Sequence, residues 1–332
     1  SSASSKKPTL RSIAQIAGLA VTTVSRALAD DPKIARRTRQ RVAEIAEEIG
    51  YVPDRAAQRL RTGKTNVIAL VLDPHSEIIG FSNSMIAGVA DALHDTRYHL
   101  TLTQTQVGED PMRPIRHIVR NRLADGLIFA RTEPADPRAA FLLEAGFPFV
   151  SHGRTKLGSH AWLDYDNAAF AECAVERLVS KGRKRITYIP PPSKFTFSEH
   201  MRSGFEIAVE GAGVIGEIPE GYDLGTAPEA MSALIAKRLS EPNPPDGWVC
   251  PGEIAAIATN AAIYDTGRKL GRDVDIVAKQ TSRVFDLFRP RIDTIYEDIS
   301  ASGAGLARAL LALFEGEDAT KLQVLQKPVP GF

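Results

Sequence analysis

Val21, Thr22, Thr23, Ser25 and Arg26 fall within six consecutive residues, and their types suit the reading of duplex DNA. An arginine pairs bidentately with guanine in the major groove, short hydroxyls reach base edges and phosphates, and methyl groups meet thymine. A second cluster, Arg36, Arg37, Arg39 and Arg41, opens a predicted helix. Cations at a helix N-terminus oppose the helix dipole, so contact with phosphate is the use these suggest. The first 62 residues hold 12 basic and 6 acidic side chains, or +6, which leaves −5 for the remainder of a chain whose net charge is +1. A phosphate-binding module on an acidic body has this asymmetry; so does a solvated helical face that happens to be basic.

Other stretches imitate catalytic or cofactor sites and fail on context. Gly211 to Gly216 spells G-x-G-x-x-G, but it follows a predicted helix instead of linking a strand to a helix, as a dinucleotide site requires. Gly63-Lys64-Thr65 resembles the tail of a phosphate loop, yet Gln58 stands where such a loop needs glycine. The seven histidines show no zinc spacing, no G-x-S-x-G elbow is present, and nothing picks out a Ser/His/Asp triad. No cofactor, metal ligand or catalytic residue is therefore expected, and the chain does not read as an enzyme. Cys173 and Cys250 are far apart with apolar neighbours, as buried reduced thiols would be. No run of about 18 uncharged apolar residues marks a membrane span, and Ser1 to Lys7 do not open a secretory signal, so a cytoplasmic location is expected.

These residues need elements to hold them. Leu10, Ile13, Ala14 and Ala17 recur at helical spacing behind Thr9, a good N-cap, which predicts a helix over 10–17. Gly18-Leu19-Ala20 is the short turn of a helix-turn-helix. Val24, Ala27 and Leu28 then give the inner face of a helix over 21–28, and Val42, Ile45, Ala46 and Ile49 that of a third over 36–49. Residues 54–62 predict a short helix, too short to stand alone in water. With Ala56, Ala57 and Leu60 on one side, two copies would pair and each Leu60 would wedge a minor-groove base step.

Further on, strand-like runs (67–72, 99–105, 126–130, 148–151, 185–189, 247–250 and 273–278) alternate with amphipathic stretches (84–93, 115–123, 167–180, 201–210, 227–239 and 254–266). This pattern predicts an α/β body of two doubly wound parallel sheets with a ligand cleft at their facing strand ends.

Thr9-Leu10-Arg11-Ser12-Ile13-Ala14, Ala17-Gly18, Thr23-Val24-Ser25-Arg26-Ala27-Leu28, Thr38-Arg39, Tyr51-Val52-Pro53 and Ala57-Gln58-Arg59-Leu60 together resemble the DNA-binding head and hinge of the lac repressor (LacI/GalR) family. Ala20 and Ala35 replace the serines that often cap the second and third helices there, at about 1 kcal/mol each, which predicts a head that is loose until DNA binds. The resemblance implies a helix-turn-helix head (1–53), a hinge helix and linker (54–64), and a body like a periplasmic sugar-binding protein (65–332). Its lobes would be about 65–165 plus 297–325 and 166–296 plus 326–332, with crossovers near 165–168, 296–300 and 323–326. Implied DNA contacts are Thr9, Val21, Thr22, Thr23, Ser25, Arg26, Arg36, Arg37, Tyr51, Arg55, Ala57 and Leu60.

For an effector, the resemblance points to Arg202, in Arg202-Ser203-Gly204-Phe205, as the arginine of an R-x-x-G-F-type motif, with Ser198 nearby; an exposed surface arginine is the alternative. Phe81 is either a stacking platform or core. Where the family reads Cys-Ala-Asn-Asp this chain has Cys250-Pro251-Gly252-Glu253, and Gly-Phe-Asp-Asp becomes Ala278-Lys279-Gln280-Thr281. The usual Asp after the fourth strand becomes His152-Gly153-Arg154. Glu253, Gln280, His152 and Arg154 are thus candidates by position. Glu297 is another, or else a structural carboxylate. The volume lost at Gly252 and Gly153 favours a disaccharide or glycoside. The expected function is a sugar-responsive, nucleoid-associated transcriptional repressor that binds operator DNA as a homodimer, no heptad tail being visible for a larger assembly. A sugar-binding transport protein or sugar-modifying enzyme is the rival, and it leaves the head unexplained.

Overall fold

A computed structural model describes residues 8–52, 63–73, 78–106 and 108–332. The chain divides into two compact units, Ser1–Thr65 and Asn66–Phe332.

In the first unit, helices α1 (Leu10–Ala17), α2 (Val21–Leu28) and α3 (Arg36–Glu48) form as the apolar spacing predicts. Ile13, Ala14 and Ala17 meet Val24 and Ala27, and Val42, Ile45 and Ala46 close the core. Thr9 and Ser12 form a reciprocal capping box at the start of α1, and Gly18, at φ 67°, ends the helix in the left-handed conformation that glycine adopts without strain. Ala20 and Ala35 begin the next two helices with no side-chain cap. The predicted 54–62 helix, with Arg55, Ala57 and Leu60, lies outside the described residues.

The second unit contains two six-stranded sheets. The first joins β1 (Val67–Leu72), β2 (His99–Gln104), β3 (Gly126–Ala130), β4 (Phe149–His152), β5 (Ala161–Tyr165) and β11 (Gln323–Gln326), in the order β11-β5-β4-β3-β1-β2 with every pair parallel. The second joins β6 (Arg185–Tyr188), β7 (Ile215–Glu217), β8 (Gly247–Cys250), β9 (Asp275–Gln280), β10 (Asp293–Tyr296) and β12 (Val329–Pro330), in the order β12-β10-β9-β8-β6-β7, where only β10 and β12 are antiparallel. Strands such as Val67–Leu72 are apolar throughout because helices cover both faces. Those helices are α4 (Phe81–Leu93), α5 (Met112–Arg120), α6 (Pro137–Glu144), α7 (Asn167–Ser180), α8 (Thr196–Ala212), α9 (Pro228–Ser240), α10 (Glu253–Asp265) and α11 (Ile299–Phe314).

The chain passes between sheets after β5, after β10 and after β11. The third passage differs from expectation: 323–326 is itself a strand of the first sheet, and the crossing follows it. The G-x-G-x-x-G stretch runs from the end of α8 through left-handed Gly213 into β7, helix to strand, the reverse of a dinucleotide turn. In the first lobe α4 and α11 approach so closely that a Cβ on Gly88 would overlap the carbonyl of Ser300. Both cysteines are free, and burial pushes the Cys250 thiol up to about 12. Among the described residues no helix is long and apolar enough to cross a membrane.

Candidate functional site

The first unit presents one face of α2 to solvent. Val24 and Ala27 are turned inward, which exposes Val21, Thr22 and Arg26 and leaves Thr23 and Ser25 half-buried. Arg26 Nε holds Asp31 Oδ2 at 2.8 Å, and that bond keeps the Asp31 carboxyl below its ordinary range. Arg36 and Arg37 are exposed at the start of α3, whose first turn contains no acid. Two expected DNA contacts have visible structural tasks. The Thr9 hydroxyl is spent on its capping box, and Tyr51 packs against the helical core.

In the second unit, the carboxyl ends of β3, β4 and β5 face those of β8 and β9 across a small cavity of about 60 Å³. Its charged centre is Lys279, on β9. Lys279 Nζ lies 2.9 Å from Glu297 Oε2 and 2.8 Å from Asn167 Oδ1, over the rings of Tyr165 at 4.3 Å and Phe170 at 5.3 Å. A buried ammonium is tolerable only with such partners. His152 Nε2 stands 3.8 Å from Glu297 Oε1, and the His152 ring lies 5.8 Å from that of Phe81. Burial holds the His152 pKa below its ordinary value, with Lys279 adding to the effect and Glu297 and Asp164 opposing it, so the ring is neutral at pH 7. His152 Nε2 and the Tyr165 hydroxyl are buried without hydrogen-bond partners, and both residues line the cavity. Unsatisfied polar atoms are costly inside a protein and mark where a ligand or water would supply the missing bonds.

Of the eight residues expected here, Phe81, His152 and Glu297 line the cavity, and the other five do not. Arg202 is half-exposed and pairs with Glu206 at 3.5 Å. The sequence explains this: in Arg202-Ser203-Gly204 the arginine stands two residues before the glycine, one short of R-x-x-G-F spacing. Position 201 is the one turned inward, and Met201 lines the cavity. One residue is 100° of helix rotation. Arg154 is held by Asp164, itself a lining residue, at 2.7 Å and by His200 at 3.2 Å, and Ser198 donates to the Pro191 carbonyl at 3.0 Å. Gln280 points to Asp286, 3.3 Å away, because β9 runs on to 280 and neighbouring side chains on a strand take opposite faces. Lys279 therefore takes the inward place. Lys279, Asn167, Asp164 and Tyr165 were not anticipated; a strand drawn two residues longer would have found the lysine.

Glu253 departs furthest from expectation. Its carboxylate accepts from the backbone N–H of Ile79 at 2.8 Å, of Thr281 at 2.9 Å and of Ser282 at 2.8 Å, and from the Ser282 hydroxyl at 2.7 Å. The Thr281 hydroxyl donates to the Ile79 carbonyl at 3.3 Å. Ile79 precedes α4 in the first lobe, whereas Glu253 and Thr281 belong to the second. Glu253 is thus a clasp between lobes, with no oxygen turned to the cavity.

Residues 9–54 match the model of bacterial regulatory proteins of the lacI family, and residues 175–331 match that of a periplasmic binding protein-like domain. The HTH-type transcriptional regulator AglR of Rhizobium meliloti (strain 1021) is 30% identical over 312 residues, covering 91% of this chain and 86% of its own. Among solved structures, a lac repressor dimer bound to operator and the anti-inducer ONPF superposes with a TM-score of 0.81 at 18% identity, covering 98% of each chain. A CelR–cellobiose complex superposes with a TM-score of 0.71 at 21% identity, over 98% of this chain and 99% of the other.

Proposed function

This chain belongs to the lacI family of bacterial regulatory proteins, and from that premise we propose that it is a cytoplasmic, nucleoid-acting repressor whose hold on operator DNA is set by a neutral sugar bound between its lobes. The family consists of transcriptional regulators, not enzymes. As a homodimer it places two α2 helices in successive major grooves, where Val21, Thr22, Thr23, Ser25 and Arg26 meet bases while Arg36 and Arg37 hold phosphates. Arg55, Ala57 and Leu60 act in the hinge. The observation that carries the effector half is the buried Lys279–Glu297 pair beside the unsatisfied His152 and Tyr165 atoms. Together they offer donors and acceptors but no net charge, next to the Phe81 ring. Convergent polar groups in an apolar wall are what a polyol with hydroxyl edges and C–H faces requires. That a related fold binds cellobiose supports the same class.

Selection from a random duplex pool tests the DNA half. Dyad-symmetric sites should emerge, with affinity that falls steeply as salt rises and is lost when residues 1–65 are removed. Enrichment without dyad symmetry, or binding by the truncated body, overturns it. A thermal-shift screen of sugars tests the effector half, since a ligand of the folded state raises the melting temperature.

A further inference from the structure

We infer that the amino edge of the first sheet, where the linker enters the body, is a second DNA-binding surface that adds phosphate contacts to those of the head. The inference rests on the DNA half of the reading above. β1, β2 and β3 are parallel and start in register, Val67 beside His99 and Ile68 beside Gly126, so their first residues share one edge, opposite the carboxyl ends that face the cavity. The chain enters the body on that edge. Asn66 N–H donates to Asp125 Oδ2 at 2.9 Å, and the Asn66 carbonyl accepts from His99 N–H at 2.9 Å.

Cations gather at this entry on a body that carries a net negative charge. From Pro111 to Leu123 there are four arginines and no acid. α5 leads back from the carboxyl edge to the amino edge, and residues 113, 116, 117 and 120 share one of its faces by helical spacing. Near its start, Arg113 is held by Glu109 at 3.4 Å and Arg116 by Asp110 at 3.1 Å. Arg120, at its end, and Arg122, just beyond, are exposed and pair with no acid among the described residues. Arg97, exposed in the turn before β2, stacks 5.5 Å over the ring of Tyr98. The nearby acids in sequence are Asp95 and Asp125, and Asp125 spends one oxygen on the Asn66 N–H. Farther along the same edge, before β4 and β11, the balance reverses, with exposed Glu144, Glu315, Glu317 and Asp318 against Lys321. The basic patch is thus confined to the side on which the linker arrives.

A helix dipole welcomes Arg120 at a C-terminus, but Arg97 and Arg122 lie in turns and gain nothing from it. Outside the described residues the only acids in the chain are Asp54 and Glu77. Asp54 is outnumbered in the linker by Arg55, Arg59, Arg61 and Lys64, and Glu77 follows the carboxyl end of β1. A basic linker therefore meets a basic edge, a juxtaposition of like charges that a polyanion relieves. Duplex DNA, with one negative charge per about 1.7 Å of axis, is such a polyanion. It is also held close by the molecule itself, since the chain from Tyr51 to Asn66 reaches at most about 50 Å fully extended and so keeps head-bound DNA at high effective concentration around this edge. That tether favours DNA over an acidic protein.

The test is fluorescence anisotropy on the full chain with the dyad-symmetric duplex selected from the random pool, titrated across a series of KCl concentrations. The variant Arg97→Gln/Arg120→Gln/Arg122→Gln is compared with Lys184→Gln/Lys237→Gln/Lys269→Gln, which removes the same charge from exposed positions of the second lobe. Each lost phosphate contact flattens the plot of log affinity against log salt by about 0.9 and counts twice in a dimer, so the arginine variant should flatten it by about 2 to 5 and lose ten-fold or more in affinity at low salt. The lysine variant should keep the wild-type slope and stay within two-fold. Arg97→Lys/Arg120→Lys/Arg122→Lys, which keeps the charges, should restore most of the slope. Arginine and lysine variants that behave alike overturn the second surface and leave the head's role standing, as does a charge-preserving variant as weak as the glutamine one. Wild-type chain that does not bind the selected duplex overturns the operator reading and this inference with it.

Discussion

Replacing Glu253 should open the body. Its carboxylate gathers three backbone N–H groups and one hydroxyl while itself 1% exposed. Most of these bonds lie within the second lobe; the bond from Ile79 N–H, 2.8 Å long, crosses to the first. A hydrogen bond to a charged group contributes about 1.5–3 kcal/mol, and a donor left buried and unpaired costs about 1–3 kcal/mol. In the closed form, Glu253→Ala strands the Ile79 N–H, whereas on opening water can pair it. Closure should therefore weaken by about 1.5–3 kcal/mol, a factor of roughly 10 to 150 in the open–closed equilibrium. Glu253→Gln retains one acceptor oxygen but turns an NH2 toward backbone donors, and should fall between wild type and alanine. Small-angle scattering without ligand reads the effect as a larger radius of gyration and a widened interlobe distance. If the effector prefers the closed form, its apparent Kd rises by the inverse of the closed fraction. Scattering curves for Glu253→Ala that superpose on wild type, at equal melting temperature, would refute the clasp.

Arg202→Ala should leave effector affinity within about two-fold, because a half-exposed i,i+4 pair with Glu206 contributes little and faces away from the cavity. Lys279→Ala, by contrast, strands the buried Glu297 carboxylate and should cost about 3–5 kcal/mol in urea unfolding. His152, His160 and His200 are all held below their ordinary pKa, chiefly by burial. Because the unfolded chain then binds protons that the folded one refuses, stability should be level above about pH 7 and fall as pH drops below about 6.5. Melting temperatures at pH 7.5 and 5.5 check this, and His160→Gln should reduce the difference. Gly88→Ala drives a methyl group into the Ser300 carbonyl between α4 and α11 and should destabilise by about 2–3 kcal/mol, seen as a lower urea midpoint with unchanged slope.

The helical head was legible in the chain alone, and so were the buried strands, because both are local patterns. Ile13, Ala14 and Ala17, then Val24 and Ala27, then Val42, Ile45 and Ala46 each repeat at a helical period, and Val67–Leu72 is apolar at every position because both faces of its sheet are covered. The missed elements, β5, β7, β10, β11, β12, α6 and α11, are short, polar-edged or nearly apolar all round, so periodicity alone does not separate them from loops or from one another. Which side chains enter the cleft was a different kind of question. It turned on single residues of register: Met201 instead of Arg202 on a helix, Lys279 instead of Gln280 on a strand. A shift of one residue turns a side chain by 100° on the first and by half a turn on the second. Composition is indifferent to that shift; the packing that fixes each element against its neighbours is not. Glu253 makes the same point across greater distance. Nothing near it in sequence announces that Ile79, 174 residues away, supplies its partner N–H, because that contact exists only when two sheets joined by several crossovers close on each other.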